Sequence, residues 1–378
     1  MPIFLHTADW QIGRQYAHFT ADDAAPIAAA RIDVVETLAR LASEHAVDAV
    51  FVAGDVFDAQ TVADKTILRL FNAMRGYPGP WVLIPGNHDA ALSESVWTRA
   101  QRLNAVPANV RLSLVPEVIA FEASGFAVLT APLTQRHTYN DLTEWFDTAE
   151  TAPGLVRVGL GHGAVQGILA ADIDSANPIA PERAARARLD YLGLGDWHGM
   201  KRIDAHTWYS GTPEADRFRG NEPGFALLVQ IDGAGVEPVV TPLPTGRYRW
   251  AQWEQVITVP SDAEALIERL ARVEERDVIE LTVQGQADME TLARINTALG
   301  SAAARARSLQ SDLGAVRMMP SAADISALKA DGYLGEVIAE LRDLQDGTGT
   351  GTGPDVATQA LAILTAMLAE RQTHGAAA

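Results

Sequence analysis

Short apolar runs, each punctuated at its end by glycine and a polar residue, constrain this chain more than any other feature. Ile3 to Thr7, Ala49 to Ala53 and Trp81 to Ile84 read as strands with little polar face. Strands of that kind belong in a sheet covered on both sides. Between them, Ala25 to Glu44 carries Ile27, Ile32, Val35, Leu38 and Leu41 at helical spacing, and Ile67 to Met74 is helical too. This alternation predicts an α/β architecture. From about Val110 to Leu133 the pattern changes to short strands and turns. Strand-like runs return at Val156 to Leu160, Tyr191 to Leu194 and Phe225 to Ile231, the last preceded by the turn-rich stretch Asn221-Glu-Pro-Gly.

A boundary falls near Trp250 to Glu254. Beyond it the pattern reads strand (Val256 to Val259), helix, strand (Val278 to Val283), helix, and a further strand near Val316. Ser261-Asp-Ala-Glu264 matches a capping box for the first of these helices. The expected organisation is a first domain over 1–250, a small α/β domain over 251–346, a Gly/Thr linker over 347–353 and a terminal helix and tail over 354–378. Val356, Ala360, Ile363, Leu364, Met367 and Leu368 share one face of that helix, which runs from about Asp355 to Arg371. Packing on its own domain and docking on a partner are both open for this face.

Composition narrows the chemistry. Of 378 residues 48% are apolar, enough for a sizeable core, and none is cysteine. Disulfides, thiolate zinc sites and cysteine nucleophiles are excluded, so any metal is held by His, Asp, Glu, Asn, Gln or water. The N-terminus lacks the basic and apolar regions of a signal peptide, and no run has the length of a membrane span, so the cytoplasm is expected. The net charge of -18 counts against unaided DNA binding, which draws its affinity from phosphate neutralisation. It does not exclude a nuclease, because bound divalent cations invert the local field and a basic partner can supply the grip.

Five polar clusters end the apolar strands: Asp9-Trp-Gln11, Gly54-Asp55-Val-Phe-Asp58, Gly86-Asn87-His88-Asp89, Gly161-His162-Gly163 and Gly195-Asp196-Trp-His198. Ligands of open α/β sheets bind beyond the carboxyl ends of strands. Oxygen and imidazole donors converging from five loops can hold two divalent ions, and a pair about 3.5–4 Å apart clamps the attacking and leaving oxygens of a phosphoryl transfer. Each cluster alone is weak; a lone Gly-His-Gly is more often a turn. Order and strand context together carry the signal.

In these motifs the chain resembles the calcineurin-like metallophosphoesterases, which carry Asp-x-His, Gly-Asp-x-x-Asp, Gly-Asn-His-Asp/Glu, a later His and Gly-His-x-His. The opening His6-Thr-Ala-Asp-Trp-Gln-Ile-Gly-Arg14 is closer still to SbcD-type DNA repair exonuclease subunits, with the YhaO-like group nearest in layout. Gly54-Asp-Val-Phe-Asp58, Tyr209-Ser-Gly-Thr-Pro-Glu214 and the Gly224-Phe225 strand point the same way. The resemblance spans about 1–250. It implies a four-layer αββα sandwich with the small C-terminal α/β domain as a cap, DNA as substrate, an SbcC-like coiled-coil ATPase as partner, a homodimer through the phosphoesterase domain, and no membrane. It also implies a ligand set. Asp9, Gln11, Asp55 and His198 would hold one metal and Asp55, Asn87, His162 and Asp196 the other, with Asp55 bridging. His88 would stabilise the transition state or protonate the leaving oxygen. Asp58 and Asp89 would orient loops and ligands.

Two positions depart from the pattern. Gln11 stands where the family has His, and Asp196 replaces the first His of Gly-His-x-His. An amide oxygen is a weaker donor than imidazole, whereas Asp196 adds a third carboxylate. That oxygen-rich set favours manganese, with magnesium, iron or zinc as alternatives. Arg14, Lys201, Arg202, Arg217 and Arg219 lie in or soon after the motifs and are candidates for phosphate contacts. His6 is expected to pack beside the site or in the core, His137 to sit in a solvated loop, and Trp10 and Trp197 to be packing residues. The leading expectation is metal-dependent hydrolysis of DNA phosphodiesters. The rivals are a phosphodiesterase or phosphatase for small nucleotides and a scaffold protein that has lost catalysis.

Overall fold

The apolar runs of the N-terminal half form strands whose bounds follow from their composition. The computed structural model describes residues 1–168, 176–218, 220–319, 333–345 and 353–375. Its chain divides into two units, Met1–Arg249 and Trp250–Ala378.

In the first unit β1 (Ile3–Thr7), β2 (Ala49–Ala53), β3 (Trp81–Ile84) and β4 (Val110–Leu112) run parallel. There follow β5 (Glu117–Phe121), β6 (Phe126–Ala131), β7 (Val156–His162), the short pair β8 (Ala164–Val165) and β9 (Pro178–Ile179), β10 (Tyr191–Gly195), β11 (Lys201–Arg202), β12 (Thr207–Tyr209), β13 (Phe225–Gln230) and β14 (Val239–Pro244). They make two six-stranded sheets, ordered β14-β13-β1-β2-β3-β4 and β11-β12-β10-β7-β6-β5. In the second sheet β6, β7, β10 and β12 are parallel to one another.

Side chains alternate along a strand, and that alternation assigns the layers. Phe4, Phe51, Val82 and Ile84 of the first sheet meet Phe126, Val128, Val158, Leu160 and Tyr191 of the second in one core. Their strand neighbours Leu5, Val50, Val52 and Leu83 face the other way, toward α1 (Ala21–Glu44), α2 (Asp64–Ala73) and α3 (Val96–Arg102). Leu129, Leu192 and Leu194 cover the outer face of the second sheet with Phe146, Leu189 and Ala184 of α4 (Arg183–Arg186). This is the four-layer sandwich expected. Helix α1 begins at Ala21, before its apolar spacing starts, because Thr20 caps it through the Asp23 N–H and acidic Asp22 and Asp23 suit the first turn.

The second unit is a three-stranded sheet, β15 (Arg249–Ile257), β16 (Asp277–Ala287) and β17 (Ser308–Met318), in that order. Leu266 and Leu270 of α5 (Pro260–Ala271) and Ile295 of α6 (Met289–Ala303) bury its Ile279 and Leu281. The first strand runs from Arg249 to Ile257, earlier than the expected Val256 to Val259, and the division between the units falls at its start. The Ser261 capping box is not formed. The helix starts at Pro260, and the Asp262 carboxylate accepts the N–H groups of Thr258 and Val259. Proline at the first helical position explains the shift, since its fixed φ suits that place and it has no N–H to satisfy.

Helices α7 (Tyr333–Gln345) and α8 (Pro354–Gly375) lie against each other. The buried line of α8 is Ala357, Leu361 and Thr365, whereas Val356, Ile363 and Met367 of the expected face are exposed. Ala357 and Thr365 flank Leu361 on the buried side, so the expected face misplaces the contact. The linker over 347–353 lies outside the described residues except Gly353. Among the described residues no helix is long and apolar enough to cross a membrane.

Phe51 is fully buried between the sheets, with ring centroids 4.8 Å from Phe4 and 6.0 Å from Phe126. Phe51→Ala should therefore cost about 3–5 kcal/mol, seen as a lower denaturation midpoint of the full chain. A variant that unfolds together with the wild type would show that the sheets do not rely on this contact.

Candidate metal centre

Five parallel strands, β1, β2 and β3 of one sheet and β7 and β10 of the other, deliver their carboxyl ends to the same edge. Asp9 and Gln11 follow β1, Asp55 follows β2, Asn87 and His88 follow β3, His162 closes β7, and Asp196 and His198 follow β10. Asp9, Gln11, Asp55 and Asp196 all take left-handed backbone, with φ of 53°, 49°, 52° and 101°. Non-glycine residues hold such angles only where neighbours enforce them. Here the loops pair with each other: Asp9 N donates to Gly54 O, Gln11 N to Asp55 O and Ile12 N to Val56 O. The approach is close enough to require glycine. A Cβ on Gly54 would lie 2.3 Å from His162 Nδ1, at φ +89°, and one on Gly195 would lie 2.1 Å from Ala53 O.

His162 is the hub. Its ring is buried, and Nδ1 lies 2.7 Å from Ala53 O. Donating the Nδ1 proton to that carbonyl leaves Nε2 as the ligand atom. Around Nε2 stand Asn87 Oδ1 at 3.1 Å, Asp55 Oδ1 at 3.6 Å and Asp196 Oδ1 at 3.8 Å. Ligand atoms of Asp9, Asp55 and His162 also fall within 4.8 Å of one another. Asp9 uses both carboxylate oxygens to accept the Asp196 N–H, at 3.1 and 3.2 Å.

The electrostatics show what this group lacks. Burial disfavours a charged His162, yet Asp55, Asp9 and Asp196 outweigh it and push the imidazole up to about 9. Burial raises Asp9 to about 6; His198 and His162 pull it down, while Asp55 and Asp196 add to the rise. Crowded carboxylates that bind protons so readily form a field demanding positive charge at their centre. The donor set fits a divalent cation.

Other expected residues fall into distinct places. His88 N donates to Asp55 Oδ1 at 2.9 Å, its Nδ1 meets Asp58 O at 2.7 Å, and its Nε2 stands 3.9 Å from Asp55 Oδ2. Asp58 thus orients His88 through its backbone carbonyl, while its carboxylate pairs with Arg14 at 3.4 Å. Asp89 is buried and accepts the N–H groups of Phe57 (3.0 Å) and Gly86 (2.7 Å), joining the second and third loops. Burial, then the Asp55 charge, raises it to about 7. Asp55, Asn87, His88, Asp196, Trp197, His198, Arg217 and Asn221 line a cleft of about 190 Å³. Of the described basic candidates, Arg217 alone lines that cleft. Arg14 pairs with Asp58 and Asp216, Lys201 lies over the Trp197 ring, and Arg202 pairs with Glu237. Arg219 lies outside the described residues. His6 is a core residue, its Nδ1 2.8 Å from Tyr191 Oη, and Trp10 is wholly buried against Trp81.

Two residues escaped the sequence reading. Asp216 Oδ2 lies 3.0 Å from His198 Nδ1, the arrangement that fixes which imidazole nitrogen faces a ligand. Burial opposes its charge, but His198, Arg31 and Arg217 hold its carboxyl well below the usual range. Arg31, buried on α1, donates to Trp10 O, Asp9 O and Thr212 Oγ1 at 2.7, 3.1 and 2.8 Å. Its signal was present: an arginine one turn from Ile27 and two turns from Leu38 on the apolar face.

Comparison with known proteins agrees with this geometry. The model of the calcineurin-like phosphoesterase family matches residues 3–229. The DNA double-strand break repair protein Mre11 of Methanosarcina acetivorans is 25% identical over 304 residues, covering 75% of this chain and 46% of that protein. The SbcD component of the nuclease SbcCD of Bacillus subtilis is 25% identical over 264 residues, 60% of this chain and 65% of its own length. Mre11 of Methanosarcina mazei is 26% identical over 255 residues, with 65% and 38% covered. The chain thus spans less than two thirds of each of these relatives.

Gly54→Ala tests whether the close approach of the sheet ends builds the centre. The added methyl group must displace the His162 ring. Manganese affinity, measured by calorimetry on the folded variant, should fall at least tenfold, the scale of a disturbed ligand orientation. Unchanged affinity would remove His162 from the ligand set.

Proposed function

The chain belongs to the calcineurin-like phosphoesterase family, metal-dependent hydrolases of phosphate esters, and from that premise we propose that it cleaves DNA phosphodiesters in repair, in the cytoplasm. The observation that carries the reading is the convergence of Asp55, Asn87 and Asp196, which line one cleft with His88, on the buried His162. The relatives named for break repair and for the SbcCD nuclease support DNA over small nucleotides.

In this reading Asp55, Asn87, His162 and Asp196 hold a divalent ion, and Asp9 and His198 form the other side of the centre. The bound metal supplies Lewis acidity toward the phosphate and lowers the pKa of the attacking water. The remaining steps belong to the protein. Ala53 O keeps the His162 tautomer that presents Nε2. Asp58 O accepts the Nδ1 proton of His88, so that the doubly protonated ring carries its other proton on Nε2, and it is this proton that His88 gives to the departing oxygen or uses to stabilise the charge gathering there. Arg217 lines the same cleft and pairs with a phosphate oxygen. Asp9, Asp55 and Asp196 supply carboxylate oxygens against two imidazoles, a balance that favours manganese over zinc.

The same reading assigns a partner. Val356, Ile363 and Met367 stand 53%, 62% and 63% exposed along α8, an apolar line suited to a groove on another chain. An SbcC-like coiled-coil ATPase is the proposed occupant, and it would supply the DNA grip that a chain of charge -18 lacks.

A labelled DNA duplex should be digested with manganese and far less with zinc, faster than a nitrophenyl phosphodiester is turned over. His88→Ala should keep its metal and lose activity by about a hundredfold or more. Preference for the small diester would favour a nucleotide phosphodiesterase, metal binding with no turnover a scaffold, and joint loss of metal and activity would make His88 a ligand. Replacing the exposed Ile363 and Met367 by glutamate, which spares the buried Ala357, Leu361 and Thr365, should abolish capture of the ATPase while leaving the thermal transition in place. Retained capture with lost thermal stability would mean that α8 serves only its own unit.

A further inference from the structure

The two sides of the centre are built differently. Ligands about 2.0–2.2 Å from a shared ion lie about 3–4 Å from one another. The distances of Asn87, Asp55 and Asp196 from His162 Nε2, 3.1, 3.6 and 3.8 Å, have that spacing. On this side these contacts run between would-be ligands, although His162 Nε2 and Asn87 Oδ1 are also within hydrogen-bond distance and Asp55 Oδ1 accepts the His88 N–H.

On the other side the protein's own donors take the ligand atoms. Gln11 Nε2 donates to Asp55 Oδ2 at 2.7 Å. The opposite amide orientation would place a carbonyl oxygen at that distance from a carboxylate oxygen, two acceptors with no proton between them. Gln11 is wholly buried, and its Oε1 has no hydrogen-bond partner among the described residues. His198 is engaged at both ring nitrogens. Asp216 Oδ2 lies 3.0 Å from Nδ1, and Arg217 Nη2 lies 2.7 Å from Nδ1 and 3.1 Å from Nε2. The guanidinium thus lies against the ring, and its fixed positive charge, 3.1 Å from the Nε2 that a metal would need, opposes a second cation there.

We propose that the centre holds one divalent ion, on Asp55, Asn87, His162 and Asp196, and that the Gln11 amide and the Arg217 guanidinium stand in for a second. The proposal rests on the metal-dependent reading above and departs from the two ions that the motif resemblance implies. Its chemistry is consistent. Asp55 keeps a partner on each oxygen, the ion side on Oδ1 and the amide on Oδ2. Arg217 places a fixed positive charge in the cleft and is anchored by Asp216, which its Nε meets at 3.1 and 3.2 Å. A guanidinium in that place would contact a phosphate oxygen directly, and only an ion held by Asp55, Asn87, His162 and Asp196 would supply activation of the attacking water.

Metal counting tests this without reference to activity. The full chain is loaded with manganese, desalted, assayed for metal per chain and examined by electron paramagnetic resonance. The wild type should retain one ion per chain and show the hyperfine pattern of an isolated ion. Gln11→His with Arg217→Ala, confirmed as folded by circular dichroism, should retain two and show the pattern of an exchange-coupled pair. Two retained and coupled ions in the wild type overturn the proposal. A folded double variant that still holds one ion removes Gln11 and Arg217 from the role assigned to them. A wild type that retains no ion under any loading condition sinks the metal-dependent reading, a result distinct from either of these.

Discussion

One buried guanidinium holds the loops of this protein in register. Arg31 reaches from the inward face of α1 to Trp10 O, Asp9 O, Glu214 O and Thr212 Oγ1, with Tyr16 Oη at 3.3 Å. Nearly all its partners are neutral oxygens, so its charge is balanced at a distance, chiefly by Asp216. The left-handed backbone at Asp9 and Gln11 costs about 1–3 kcal/mol per residue and persists only where the surroundings fix it. Arg31 fixes it on one side and the loop after β2 on the other. Glu214 continues the chain of support: its carboxylate accepts the N–H groups of Arg247 and Tyr248, at 2.6 and 3.0 Å, where the first unit ends.

The centre is assembled at a cost in charge. Asp9 and Asp55 are almost completely buried and Asp196 is close to them. The protein cation set among them is His162, held protonated to about 9 by those carboxylates in spite of its burial. A divalent ion would replace that proton with twice its charge and so balance the crowded carboxylates more fully. The backbone N–H of Asp196 across the Asp9 carboxylate and the Gln11 amide on Asp55 remove part of the remaining repulsion. Stability of the loops and affinity for metal are therefore one property.

Much of this was legible in the sequence, for identifiable reasons. β1, β2 and β3 came out residue for residue because buried parallel strands are apolar along their whole length and stop where glycine and polar residues begin. The polar clusters marked the site because strand ends are where α/β sheets bind ligands. The contacts that tune the site were not legible. Asp216 reaches His198 from a separate loop and carries no motif. Asp58 acts through its carbonyl, which any residue type could supply. In α8 large apolar residues lie on both sides of the helix, Leu361 buried with Ala357 and Thr365 and Ile363 and Met367 exposed, so apolarity alone does not say which side packs. The motif resemblance also gave Gln11 a place among the ligands, whereas the geometry turns its nitrogen to the Asp55 carboxylate.

The surface charge and the centre are connected by the fate of the arginines. On the proposed reading cations are needed near the cleft, yet among the described basic candidates Arg14 pairs with Asp58 and Asp216 and Arg202 with Glu237. Arg217 alone among the described basic candidates remains directed into the cleft, and Asp216 holds it there. A single arginine aligns a phosphate through paired hydrogen bonds, but it cannot supply the counterion release that gives non-specific affinity for a duplex. On the proposed reading, then, positioning and affinity are divided. The cleft aligns one phosphate between an ion and a guanidinium, and the grip on the rest of the duplex comes from a second, more basic protein.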